Sequence, residues 1–296
     1  SLTSAGSDDI FVAKVNSTGG WEWAVRAGST GSDYGSGIAS DASGSVCVTG
    51  SFYGTATFGD AWSLTSAGDR DIFVAMLSPA GEWKGALRAG GTGSDVGYGI
   101  TMLADGSCIV TGSFAANASF HAAGSLTSAG SDDIFVAKVN STDGSWEWAV
   151  RAGGADSDVG YSIASTKDGS AVIAGSFKGN ASFDTTGSLI AQSTAGSDDT
   201  LVAFVSSAGE WEWARPGGGD TSDYGYGIAL LVDGSAVVTG SFTGTASVGA
   251  AGSLISEGKS DIYVTLGSSE KLSEKPSDLP SGQPSGFPLS SPSGQP

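Results

Sequence analysis

Asp133-Ile134-Phe135-Val136-Ala137, followed by Trp146-Glu147-Trp148-Ala149-Val150-Arg151, decides the reading of the chain, because both phrases return along it. The first recurs at 9–13 and 71–75, with variants at 199–203 and 261–265. The second recurs at 21–26, 83–88 and 211–215. Each pair leads into Ser-Asp-(Tyr/Val)-Gly-x-x-Ile, from Ser32, Ser94, Ser157 and Ser222. A Val-rich run ending Gly-Ser-Phe then closes at Phe52, Phe114, Phe177 and Phe242. The unit opens on Ser-Leu at Ser1, Ser63, Ser125, Ser188 and Ser253, spacings of 62, 62, 63 and 65 residues. Self-similarity at a fixed period marks a repeat architecture.

Within a unit the segments are short, β-branched or aromatic, and bounded by Gly, Asp and Ser, which reads as strands. Asp105-Gly106, Asp168-Gly169 and Asp233-Gly234 are expected to form two-residue hairpin turns between the third and fourth segments. Asn16 to Gly20, Ser78 to Gly81 and Ser206 to Gly209 join the first and second. The reading is two hairpins, or four antiparallel strands, in about 62 residues. Ile10-Phe11-Val12-Ala13 and Val46-Cys47-Val48 are apolar on both faces, so their strands are covered on both sides. Four-stranded blades stacked around an axis supply that cover, and the Gly-rich third segment suits the innermost strand. The expected fold is all-β: a β-propeller, or an open stack of propeller-type blades over 1–266, with units starting at 1, 63, 125 and 188 and a partial one at 253.

The four phrases together closely resemble the bacterial-type β-propeller repeat family often called SBBP, over about residues 1–266. The resemblance implies a propeller-like fold in secreted or surface proteins, with no catalytic residues to carry over. Beyond Leu266, Pro276, Pro280, Pro284, Pro288, Pro292 and Pro296 recur every four residues. Residues 267–296 are therefore expected to be an extended, polyproline-like stalk or linker. Their Pro-Ser-Gly-Gln pattern resembles stalks of algal-type surface proteins.

Composition narrows the function. Of 296 residues 48 are Gly and 50 Ser, too many for long helices, while 39% are hydrophobic and eight are Trp, enough to build a core. No apolar stretch is long enough to span a bilayer as a helix, and no N-terminal signal sequence is visible. The net charge of −18 repels nucleic acid and anionic lipid. One histidine, His121, and two cysteines leave little for metal or triad chemistry. Cys47 and Cys108 occupy non-equivalent positions in neighbouring units and are expected to be free, buried thiols, because packed sheets sit about 10 Å apart. His121 is expected at the surface.

All four Asn residues, Asn16, Asn117, Asn140 and Asn180, lie in N-glycosylation sequons and are expected in exposed turns. Asp33, Asp95, Asp158 and Asp223 recur once per unit, as do the acids at 8–9, 69 with 71, 132–133 and 198–199. They are weak candidates for calcium, against a structural role accepting backbone N–H bonds or pairing with Arg26, Arg88, Arg151 and Arg215. The Trp-x-Trp pairs are expected to share one strand face and to be buried between blades, Trp21, Trp23, Trp146 and Trp148 included.

The expectation is a non-enzymatic extracellular structural protein, part of a surface or filamentous assembly, with no cofactor. The alternative is a carbohydrate- or calcium-dependent adhesion module. Strand counting adds that the array starts on the third strand of one blade and stops on the third of another. The expected partners are other copies joined head to tail, or other surface proteins, together with glycans; nucleic acid and membrane insertion are not expected.

Overall fold

The computed structural model describes residues 1–183, 187–190, 196–248 and 252–266; the Pro-rich stalk lies outside them. Among the described residues there is no α-helix, only a 3-10 turn at His121–Ala123. The rest of the regular structure is antiparallel strand.

The four phrases form one meander in a fixed order. In the second blade the Gly-rich strand Tyr34–Ser40 pairs with Val46–Phe52, which pairs with Asp71–Leu77, which pairs with Trp83–Gly91. The third blade repeats this with Val96–Met102, Cys108–Ser119, Ser125–Val139 and Trp146–Gly153. The fourth uses Val159–Ser165, Ala171–Lys178, Asp198–Val205 and Trp211–Gly219. The first blade has only its third and fourth strands, Ile10–Val15 and Trp21–Gly28. The fifth has only its first three, Tyr224–Leu230, Ala236–Phe242 and Asp261–Leu266. The strand count made on the sequence therefore holds.

Two further strands per unit were not anticipated. Thr55–Phe58 and Trp62–Thr65 form an extra hairpin that joins not its own blade but the end of Trp21–Gly28 in the blade before, through Ala27↔Phe58 and Gly28↔Thr57. The equivalent segments do the same at Gly91↔Ala118, Gly153↔Ser182 and Gly219↔Ala246. A repeat period thus carries six strands, and the hairpin inserted in each blade completes the outer edge of the blade before it.

The Asp-Gly turns also differ in detail. Leu103 and Gly106 donate their N–H groups to the carbonyls of Ser107 and Leu103, closing a three-residue loop with Gly106 at φ +84°. That is a type I turn followed by a left-handed residue, the commonest three-residue hairpin, and the left-handed position explains the glycine.

Alternation along each strand gives every blade a rear face toward its predecessor and a forward face toward its successor. Ile10 and Val12 of the first blade pack on Val48, Phe52, Phe73 and Leu77 of the second. Ile72 and Val74 pack on Val110, Phe114 and Phe135, and Ile134 and Val136 pack on Ile173, Phe177 and Leu201. Ala174 and Val202 meet Val238, Phe242 and Tyr263. At the inner edge Tyr98, Tyr161 and Tyr226 form a row with ring centroids 5.6 and 5.2 Å apart. Thr101 and Ser165 hydroxyls bond across neighbouring blades at 2.9 Å.

The Trp pairs do not share a face. A bulge in the fourth strand sets Lys138 opposite Trp148 but Val139 opposite Trp146, skipping Glu147. The extra residue turns Trp146 rearward, where its indole N–H donates to the Arg88 carbonyl at 2.9 Å. Trp148 turns forward and donates to the Ser207 carbonyl at 3.1 Å. The Trp146/Trp148 pair therefore ties the third blade to both neighbours. Trp146 is fully buried and Trp23 and Trp148 are half-buried, but Trp21 is 75% exposed, against expectation, because no blade lies behind the first.

The cysteines are bonded rather than free. Cys47 points forward from the second blade and Cys108 rearward from the third, and they form a disulfide with Cα atoms 7.1 Å apart. The sheet spacing of about 10 Å assumed from sequence overestimates the gap here: the second strands that carry the two cysteines bring their Cα atoms to 7.1 Å.

Candidate functional site

The most regular polar feature is an acidic clamp repeated in every unit at the junction of two blade elements. Asp95 is fully buried; its Oδ2 accepts the Gly91 N–H at 2.7 Å and its Oδ1 the Ala115 N–H at 3.1 Å. Asp158 holds Gly154 and Lys178 in the same way, at 2.7 and 2.9 Å, and Asp223 holds Gly219 and Thr243. Asp33 accepts from Ser29 and Tyr53. One carboxylate thus pins the end of the fourth strand of one blade to the start of the extra hairpin that covers it.

A second acid stands beside each clamp. Asp133 accepts the Ala129 N–H at 2.8 Å and the Arg151 guanidinium at 2.7 Å, both through Oδ2. Asp9 pairs likewise with Arg26 and Asp71 with Arg88. Their Oδ1 atoms are buried without a hydrogen-bond partner. Each instead faces a glycine: a Cβ on Gly153, at φ +151°, would lie 2.5 Å from Asp133 Oδ1 and 2.8 Å from Asp158 Oδ2. That double contact explains why the Arg-Ala-Gly phrase cannot carry a larger residue there.

Burial dominates the electrostatics of these groups. Asp158 is pushed up to about 7 by burial, with Asp133 adding to it and the two N–H bonds opposing. Asp95 and Asp223 are pushed up to about 6, burial again first. Burial raises Asp71 and Asp133 as well, against their arginine partners. In chemical terms these are fasteners. Both oxygens of each calcium candidate, Asp33, Asp95, Asp158 and Asp223, are engaged by backbone N–H groups. Among the described residues no group of three or more His, Cys, Asp or Glu side chains is placed to hold a metal ion.

The sequons divide by location. Asn16 and Asn140 sit half-buried in the turn between third and fourth strands, where Asn16 Oδ1 accepts the Thr18 and Gly20 N–H groups at 3.1 and 2.8 Å. Asn140 Oδ1 accepts the Thr142 N–H at 2.7 Å. Asn117 and Asn180 are exposed, but in strands of the extra hairpin rather than in turns. His121 lies at the surface, in the tip of one extra hairpin.

Strand counting on the sequence marks the first and fifth blades as partial, and the structure shows which of their side chains are exposed. Phe11, Val15 and Trp21 are exposed on the rear of the first blade, and Ile262 and Val264 on the front of the fifth. No helix of the described residues is long and apolar enough to cross a membrane.

No protein-family model matches the chain, and no curated protein does. A solved structure of a protein of unknown function from Bacteroides caccae is 11% identical and is covered over 65% of its own length, against 79% of this chain. With a TM-score of 0.41 that likeness carries no argument about fold or function.

Proposed function

We propose that the chain is a non-enzymatic structural repeat scaffold, a segment of an extracellular surface or filamentous assembly. The observation that carries this reading is the recurrence of one blade-to-blade contact four times over, with the clamp acids and Trp23, Trp146, Trp148 and Trp211 engaged in fastening blades. Catalytic sites are local and break such symmetry, whereas scaffolds keep it. The disulfide between neighbouring blades favours an oxidising compartment and hence an extracellular location. Membership of the SBBP-type repeat family fits the same picture and belongs to the proposal.

N-glycosylation of Asn117 and Asn180, whose amides are exposed, and of Asn16 and Asn140 in their turns is part of this reading. Protein from its native source should lose mass on enzymatic deglycosylation. The rival is an adhesion module, for which Trp21, 75% exposed on the first blade, would be the stacking platform for a sugar ring. A glycan array probed with and without calcium separates the two. Uniformly blank spots are expected; sugar-specific binding that Trp21→Ala abolishes would overturn the scaffold reading in favour of the rival.

A further inference from the structure

We infer that Tyr161 is a site of oxidative cross-linking, where its ring couples to that of Tyr98 or Tyr226 and joins one blade covalently to the next. The inference rests on the scaffold reading and names a modification that would harden it. The innermost strand of each blade carries a bulge at one position. Thr111 stands opposite Gly99 and Gly112 opposite Gly97, skipping Tyr98. Tyr161 is skipped between Gly160 and Ser162, and Tyr226 between Gly225 and Gly227. In the second blade the skipped residue is Ser36, where the row ends. A bulge re-aims the side chain of its extra residue, and here three successive blades aim a tyrosine into one row. Glycine lets the strands close up: a Cβ on Gly99 would lie 3.1 Å from the Tyr161 carbonyl oxygen. Ring centroids are 5.6 Å apart for Tyr98 with Tyr161 and 5.2 Å for Tyr161 with Tyr226. Tyr224 stacks on Tyr226 at 5.7 Å, so four of the seven tyrosines form one contiguous chain.

Packing alone does not call for the phenol oxygens. Buried phenylalanines fill the inter-blade cores, whereas the rings of the inner row are tyrosines, which one-electron oxidation converts to coupling radicals. Tyr98 and Tyr161 lie in the third and fourth blades and are half-buried rather than sealed. At these separations the ring edges are in contact, so two radicals formed there meet without diffusion. Each phenol gives up one electron and its O–H proton, and the two phenoxyl radicals form a carbon–carbon bond between ring positions ortho to the oxygens. The two ring hydrogens move to the oxygens as the rings become aromatic again, so the pair has lost two hydrogen atoms. A haem peroxidase passes their electrons and protons to one hydrogen peroxide, which leaves as two waters. A compartment that keeps the Cys47–Cys108 disulfide oxidised is one in which such an oxidant can act.

The test uses the full chain, dilute enough that molecules seldom meet. It is oxidised with light-activated ruthenium tris-bipyridyl and persulfate, small reagents that supply the same one-electron step. Peptide mapping by mass spectrometry is expected to find Tyr161 joined to Tyr98 or Tyr226, the linked pair lighter by two hydrogen atoms and showing the blue fluorescence of dityrosine. Tyr161→Phe keeps the ring and its packing and should lose both inter-blade links, whereas Tyr34→Phe should lose neither. In denaturant the preference for Tyr161 should vanish, and material from the native source should carry the same link. Products that bypass Tyr161 in the folded chain, or that spread over all tyrosines as they do in denaturant, overturn the inference. Native material in which Tyr161 is uncoupled overturns it too, while the scaffold reading stands or falls separately on the glycan array.

Discussion

At the residue scale the buried acids control how stability responds to pH. Asp158 ordinarily titrates at 3.8 and is pushed up to about 7 in the fold, so the folded state holds its proton more tightly than the unfolded chain. Its contribution is complete below the unfolded value and is lost as pH rises through about 7. Asp95 and Asp223, pushed up to about 6, act in the same direction. The melting temperature should therefore increase as the pH is lowered from 8 to 5, which a thermal scan across that range checks. Asp158→Asn should cost about 1–3 kcal/mol by leaving either Gly154 or Lys178 N–H without an acceptor, and should flatten the pH response; an unchanged melting temperature would contradict the clamp. The sequence signalled that these acids are structural, through their recurrence once per unit. It could not show that one acid takes two N–H groups and its neighbour the arginine, because those partners come from separate strands.

Strands, at the next scale up, were legible wherever a local pattern sufficed. The Gly-Ile-Ala, Val-Thr-Gly, Phe-Val-Ala and Trp segments are the four blade strands in the order read. The extra hairpin was missed because Thr55-Ala56-Thr57-Phe58 is a weak strand by itself and pairs with residues of the preceding blade. The Trp bulge was missed because a period of two assumes unbroken pairing, and Glu147 breaks it. The consequence is measurable: Trp146→Ala should cost about 3–5 kcal/mol, whereas Trp21→Ala, at the equivalent position with no blade behind it, should change stability by less than about 0.5 kcal/mol. Denaturant titration of the two variants checks the difference. The cross-blade disulfide closes a loop with a sequence separation of 61, for which chain-entropy arguments give about 4 kcal/mol. Cys47→Ser should lower stability by an amount of that order, and reductant should produce the same loss in the unsubstituted chain.

For the molecule as a whole, cooperativity runs along a line. Each blade touches only its neighbours, so stability approximates a sum of blade and interface contributions, and the ends have one interface where the middle has two. Backbone amides of the third blade should exchange with solvent most slowly and those of Asp261–Leu266 and Ile10–Val15 fastest, which hydrogen-exchange mass spectrometry reads directly. Protection spread evenly over all five blades would contradict a linear array. The repeat period and the incomplete end blades were readable from the sequence by counting. Which faces those ends leave uncovered needed the register, since one residue of slip exchanges the buried and exposed sets.

The interleaved hairpins bear on how such a chain can change over generations. The stretch that repeats and the blade that folds are out of phase, yet every unit supplies one strand of each kind and one closing hairpin. Recombination between two units at matching positions leaves every remaining strand with its proper neighbour, so the array can grow or shrink by whole blades. An exchange out of phase strands a hairpin beside no edge and leaves a fourth strand uncovered. Duplication in register is thus the tolerated route to length, and the near-identity of successive units is what such a history leaves behind.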